Sequence, residues 1–141
     1  DRFINIIKPK RIYFGEKDMQ QLMIINHFVK KNHKHTKVIG CKTIREKNGI
    51  ACSSRNLLLS LSQKTIASKV YNLLKNKKQN LIKKKLGLIE IKRKILKLGV
   101  NKIEYIRILN INKLIKPYIK NNKYKIFVAY YLGGTRLIDN I

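Results

Sequence analysis

Two short stretches carry side chains whose types and spacing could do chemistry. The first is Gly15-Glu16-Lys17-Asp18, followed by Gln20-Gln21. The chain holds 33 Lys and Arg against only 7 Asp and Glu, so two carboxylates around a lysine, just after a glycine, call for a reason. A helix opening there would turn free N–H groups and the positive end of its dipole toward an anion. A structural reading competes: Asp18-x-x-Gln21 is a capping box, which explains both residues by the helix start alone. The second stretch is Ser53-Ser54-Arg55. Hydroxyls and backbone donors beside a planar guanidinium make a phosphate clamp. Such a tripeptide also recurs in ordinary loops.

The remaining reactive residues point to little. Cys41 and Cys52 form no CxxC pair, and free thiols fit a cytoplasmic protein. Of His27, His33 and His35, the last two have no cysteine or carboxylate at ligand spacing. They are expected in a solvated loop, and no metal site is expected. The net charge of +26 favours an anionic partner such as nucleic acid. However, most of that charge is Lys, abundant together with Asn and Ile, residues that share A/T-rich codons. Arg, the better reader of phosphates and bases, is scarce. The basic runs lack interleaved aromatics. A solvated lysine surface is therefore the preferred reading, and a basic nucleic-acid-binding protein is kept as the alternative.

The elements that must position these residues follow from periodicity. Phe3 to Ile7 reads as the last turns of a helix stopped by Pro9. Arg11-Ile12-Tyr13-Phe14 is a strand ended by Gly15. Leu22, Ile25, Phe28 and Val29 repeat at helical spacing, and Lys37-Val38-Ile39-Gly40 is a second strand. Strand, helix, strand over thirty residues predicts a βαβ unit with parallel strands. Ligands of open α/β sheets bind at the carboxyl ends of such strands, where Gly15 lies. Lys47-Asn48-Gly49 is a turn signal. Ser60-x-x-Gln63 is another capping box, opening a helix through Ile66, Val70, Leu73 and Leu74. Asn76 to Lys85 is expected to be a lysine-rich connection, and the runs at Lys77 and Lys83-Lys84-Lys85 to be solvated faces and loops. A further helix carries Leu88, Ile91, Ile95 and Leu98 and is closed by Gly99. Ile103–Leu109 and Tyr124–Tyr131 read as strands, and Gly133-Gly134 turns the chain into Thr135-Arg136-Leu137-Ile138. These last strands predict a small antiparallel sheet.

With 141 residues, 44% of them hydrophobic, the chain can pack a core of one domain, or of a small domain plus part of another. It begins with Asp1, and its apolar pattern is already under way at Phe3, so it is read as a piece of a longer chain. No signal peptide is visible. No apolar run approaches the ~20 residues of a membrane span, and no membrane partner is expected.

Four ordered stretches together resemble one family, pantothenate synthetase (pantoate–β-alanine ligase). They are Phe14-Gly15-Glu16-Lys17-Asp18 with Gln20-Gln21-Leu22; Thr43-Ile44-Arg45-Glu46; Asn48-Gly49-Ile50-Ala51-Cys52-Ser53-Ser54-Arg55-Asn56; and Thr135-Arg136-Leu137-Ile138-Asp139-Asn140. Their order and spacing look like the family's C-terminal half. The likeness is weakest between Asn76 and Lys123.

The resemblance implies an α/β fold: the C-terminal part of a Rossmann-like nucleotidyltransferase domain over residues 1–42, then a small α+β lid domain over 43–141 with two helices and a small antiparallel sheet. It implies an ATP-dependent ligase acting with Mg²⁺ on pantoate and β-alanine, cytoplasmic and homodimeric when intact. By matching positions, ATP would be bound by Gly15, Glu16, Lys17, Asp18, Ile44, Cys52, Ser53, Ser54 and Arg55. Of these, Gly15 and Asp18 would hold the ribose. Ile44 and Cys52 would flank adenine, largely through backbone groups. Ser53, Ser54 and Arg55 would grip the phosphates as a KMSKS-like loop. Lys17 and Arg55 would be the catalytic cations, and Gln21 would bind pantoate; no contact is implied for Glu16. The chain departs from the family pattern at Lys42, where proline is usual, at Asn48 for Asp, and at Cys52 for Met or Leu. The family's His-x-Gly-His motif and second pantoate-binding Gln are not in this sequence, so the chain alone is expected to hold half an active site and to be inactive.

Overall fold

The computed structural model describes residues 1–83, 86–111 and 123–141. The chain divides into two units, Asp1–Thr43 and Ile44–Ile141.

In the first unit, helix α1 (Arg2–Ile7) ends where Lys8 takes a left-handed conformation (φ 47°) just before Pro9. Proline cannot continue a helix, so the chain must turn. Strands β1 (Arg11–Gly15) and β2 (Lys37–Cys41) then pair in parallel, in register from Arg11 opposite Lys37 to Gly15 opposite Cys41. Helix α2 (Met19–Asn32) makes the crossover and buries Met19 and Val29. The predicted βαβ unit is therefore present, for the predicted reason: parallel neighbours need a crossover, and the helical spacing of the intervening apolar residues supplies one.

Two local expectations fail here. Asp18 stands at the N-cap position of α2, but its side chain makes no capping hydrogen bond. Residues Glu16–Asp18 form one turn of 3-10 helix, which feeds the chain into α2 with Asp18 at φ −98°, ψ 57°. That is outside the extended conformation a capping residue adopts. His33 does lie in the loop that follows α2, as expected, but it is not solvated. Its side chain is only 13% exposed, and Nε2 lies 2.7 Å from Asp1 Oδ1, a partner 32 positions away that no local spacing could announce.

In the second unit, residues 44–52 fold back on themselves through an antiparallel bridge between Arg45 and Ala51. A turn of 3-10 helix (Ser54–Leu58) follows. Helix α3 (Leu61–Ile82) opens with the predicted capping box: Ser60 Oγ accepts from Gln63 N at 3.2 Å, and Gln63 Oε1 accepts from Ser60 N at 2.9 Å. The expected connection from Asn76 is helical as far as Ile82. Leu81 falls seven residues after Leu74 and both are buried, so a core-facing stripe continues, while Lys and Gln on the other faces are good helix formers. Lys84 and Lys85 lie outside the described residues.

Helix α4 (Leu88–Lys97) buries Ile91 and Ile95, and Gly99 ends it with φ +101°. Strands β3 (Lys102–Asn110), β4 (Tyr124–Leu132) and β5 (Thr135–Asn140) form an antiparallel sheet in the order β3-β4-β5. β4 is the middle strand and is buried continuously from Ile126 to Tyr130. The core is built from Leu74, Ile91, Ile95, Ile126, Val128 and Leu132, where two helices lie on the sheet. Burial and the nearby Asp139 carboxylate hold the Tyr130 phenol well above its ordinary pKa. The fold is α/β, with two α-helices and a small antiparallel sheet among the described residues of the second unit.

Candidate active site

The first unit presents Gly15 at the carboxyl end of β1, exposed, with nothing within 4 Å of where a Cβ would stand. Glu16 and Lys17 follow in the 3-10 turn; both are half-buried and already engage neighbours. Asp18 and Gln21 are exposed. Asp18 ends the 3-10 turn and Gln21 lies in the first turn of α2. Because Asp18 does not cap the helix, its carboxylate is not spent on the backbone, and the N–H groups of the first turn keep their capacity for an acceptor. A cavity of about 430 Å³ in this unit, lined by residues such as Lys8, Pro9, His33 and Thr36, opens at the amino ends of β1 and β2, away from Gly15 and Asp18.

The second unit presents Ser53, Ser54 and Arg55. Ser53 Oγ accepts from Arg55 N at 3.3 Å and so caps the 3-10 turn. Ser54 and Arg55 are exposed. Ile44 is 76% exposed. The N–H of Cys52 donates to Ile44 O at 3.0 Å, so one backbone group of each is used to join the two. Among the described residues, no three His, Cys, Asp or Glu side chains converge as a metal site.

The frame of this loop is what sequence reasoning missed. Arg45 donates to both carboxylate oxygens of Asp139, at 2.7 and 3.0 Å, and also to Gly49 O and Asn140 O. Its guanidinium carbon lies 4.2 Å from the centre of the Tyr71 ring. Burial works against the Arg45 charge, but the bond to Asp139, the field of that carboxylate and Tyr71 outweigh it and raise its pKa. Asn56, 3% exposed, donates to Glu46 Oε1 at 2.6 Å and to Ala51 O at 3.2 Å. Arg45, Glu46, Asn56 and Asp139 all lie in the quoted motifs, yet nothing in their spacing says that they meet: Arg45 and Asp139 are 94 positions apart.

A parallel strand that runs through a 3-10 turn into a helix, and a capped hydroxyl loop presenting an arginine, belong to an α/β protein. The family model described as pantoate-beta-alanine ligase matches residues 1–141, and the chain belongs to that family. It is 38% identical to the pantothenate synthetase of Flavobacterium psychrophilum and 39% identical to that of Clostridioides difficile, covering 99% of this chain and 51% of each relative. The chain thus spans about half the length of the curated relatives it matches. Among solved structures, it is similar to the pantoate-beta-alanine ligase of Francisella tularensis complexed with β-γ ATP and β-alanine, with a TM-score of 0.75 and 36% identity over 99% of this chain and 46% of that one. The pantothenate synthetase of Thermus thermophilus gives a TM-score of 0.77 at 29% identity, over 99% of this chain and 52% of that one. These matches lend no support to the nucleic-acid-binding alternative. No helix among the described residues is long and apolar enough to cross a membrane.

Proposed function

We propose that this chain is the C-terminal part of an ATP-dependent ligase that condenses pantoate with β-alanine. The family match over residues 1–141 carries the reading. In the first step a pantoate carboxylate oxygen attacks the α-phosphorus of ATP. The bond to pyrophosphate breaks, and pyrophosphate leaves with the electron pair. In the second step the neutral amine of β-alanine attacks the acyl carbon of the pantoyl adenylate. AMP departs, the amine loses a proton, and the amide of pantothenate remains.

Negative charge grows on the departing pyrophosphate, so cations and donors aimed there stabilise the transition state more than the ground state. That role falls to Lys17 and to Arg55 with Ser53 and Ser54. Asp18 and Gly15 address the ribose, and Ile44 and Cys52 flank adenine. Gln21 hydrogen-bonds pantoate without adding charge. The second step needs an amine held against an activated carbonyl, so positioning dominates it. Glu16 belongs to the ATP-binding stretch with no contact assigned. The described residues offer no protein cage for Mg²⁺; the ion would arrive on the nucleotide phosphates, as Mg²⁺ commonly does. Residues 1–42 would be the end of a Rossmann-like domain and 43–141 a lid domain, in a cytoplasmic enzyme that is a homodimer when intact.

The test is pyrophosphate release from ATP and pantoate by an enzyme of the relatives' full length carrying this sequence. Lys17→Ala and Arg55→Ala should each slow it by roughly 10²-fold or more; unchanged release in both would remove these roles. The 141-residue chain alone should make no pantothenate, and turnover by it would refute the half-site reading.

A further inference from the structure

We propose that Arg45 and Asp139 are positioning residues for the Ser53-Ser54-Arg55 loop, acting together with Asn56; the link to catalysis rests on the ligase reading above. No ligand role is assigned to Arg45. Its guanidinium joins three segments distant in sequence: the turn at Gly49, the end of β5 at Asp139 and Asn140, and α3 through Tyr71. The Arg45–Asp139 pair is mostly buried, with 20% and 12% of the two side chains exposed. Arg45 also forms the bridge to Ala51, so anchoring Arg45 anchors the strand that leads into the loop. On the far side, Asn56 hooks the chain back to Glu46 and to Ala51 O. Ser53, Ser54 and Arg55 are thus held at both ends, while Ser54 and Arg55 themselves project into solvent.

The geometry needs arginine. Two parallel bonds to one carboxylate, two more to backbone carbonyls and a flat face on Tyr71 use the fork and the plane together. A lysine ammonium keeps the charge and loses both. A loop that must hold donors around a transferring phosphate tolerates little misplacement, since small errors of position cost large factors in rate.

The experiment compares Asp139→Asn and Arg45→Lys with the parent in two measurements. Hydrogen exchange, read peptide by peptide on the full chain, should quicken over residues 44–56 by about tenfold or more, while Ile126–Leu132 keeps its protection. In the enzyme of full family length, the kcat for pyrophosphate release, per site titrated by adenylate formation, should fall by about tenfold or more, with the KM for ATP moving less. Unchanged exchange over 44–56, or an even rise through the whole second unit, overturns the proposal. So does a normal kcat per titrated site, because a purely structural pair would lower only the number of active sites. Variants whose loop loosens, beside a parent that releases no pyrophosphate, would uphold the positioning and instead refute the ligase reading.

Discussion

The Asn56 carboxamide gives its hydrogens to Glu46 Oε1, at 2.6 Å, and to Ala51 O, while its own buried oxygen has no partner. Turning the amide over would not help, since oxygen would then face two acceptors. A carboxylate and a carbonyl held by one amide make the donor worth more than the acceptor. Asn56→Ala should therefore destabilise the protein by about 1–3 kcal/mol. Asn56→Asp should cost more at neutral pH, where two carboxylates would meet, and should recover toward Asn56→Ala as the pH falls through the carboxylate range. Denaturant unfolding at neutral and acidic pH checks both, and an Asn56→Asp protein as stable as the parent at neutral pH would contradict the arrangement.

Gly49 has no room for a side chain. Its φ is +89°, and an added Cβ would stand 2.4 Å from Tyr71 Cδ1. Gly49→Ala should destabilise by about 1–3 kcal/mol through backbone conformation alone, with the clash in addition. In a double-mutant cycle, Tyr71→Ala should relieve the clash and leave the backbone part. Full additivity of the two substitutions would mean that the ring and the glycine are not in contact.

The two capping-box sequences should separate cleanly in stability measurements. Ser60→Ala removes a bond that exists and should cost about 1 kcal/mol. Asp18→Ala removes no cap bond and should cost only a few tenths of a kcal/mol, the worth of an exposed charge near a helix start. An equal loss in both variants would mean that Asp18 caps α2 in solution. If the ligase reading holds, Asp18→Ala should weaken ATP binding all the same.

Glu104 and Arg136 span the sheet, with Arg136 Nε 2.6 Å and Nη2 2.9 Å from the two carboxylate oxygens. β3 and β5 are the outer strands, so the pair reaches across β4. The register irregularity between Ile103 and Tyr105 leaves Glu104 out of the ladder. The hydrogen bond from Arg136 holds the Glu104 pKa below its ordinary value. A folded-state pKa below the unfolded one means stability that is present above the unfolded value and lost as pH falls through the folded value. Glu104→Gln should thus be less stable than the parent at neutral pH, and the two should converge in acid below the ordinary glutamate range. Because the pair is exposed, the neutral-pH difference should also shrink in high salt; a difference that persists at low pH and in salt would point to packing instead.

Much of the fold was legible because it is local. The helical spacing from Leu22 to Val29 and the β-rich runs on either side led to βαβ, and Ser60-x-x-Gln63 led to a cap that forms. The same local logic misled at Asp18, where a sequence that could cap is carried into the helix by a preceding 3-10 turn. It also misled at Asn76–Ile82, where burial of Leu81 extends a helix through lysines that read as a linker.

The order of the motifs, by itself, determined the family. What only the tertiary structure decided is which side chains hold the others in place. Arg45 meets Asp139 across 94 positions, and His33 meets Asp1 across 32. Hydrogen bonds and ion pairs act over a few ångströms of space, whatever the distance along the chain. Periodicity reports only near neighbours in sequence, so such pairs become visible only when the folded chain brings their elements together.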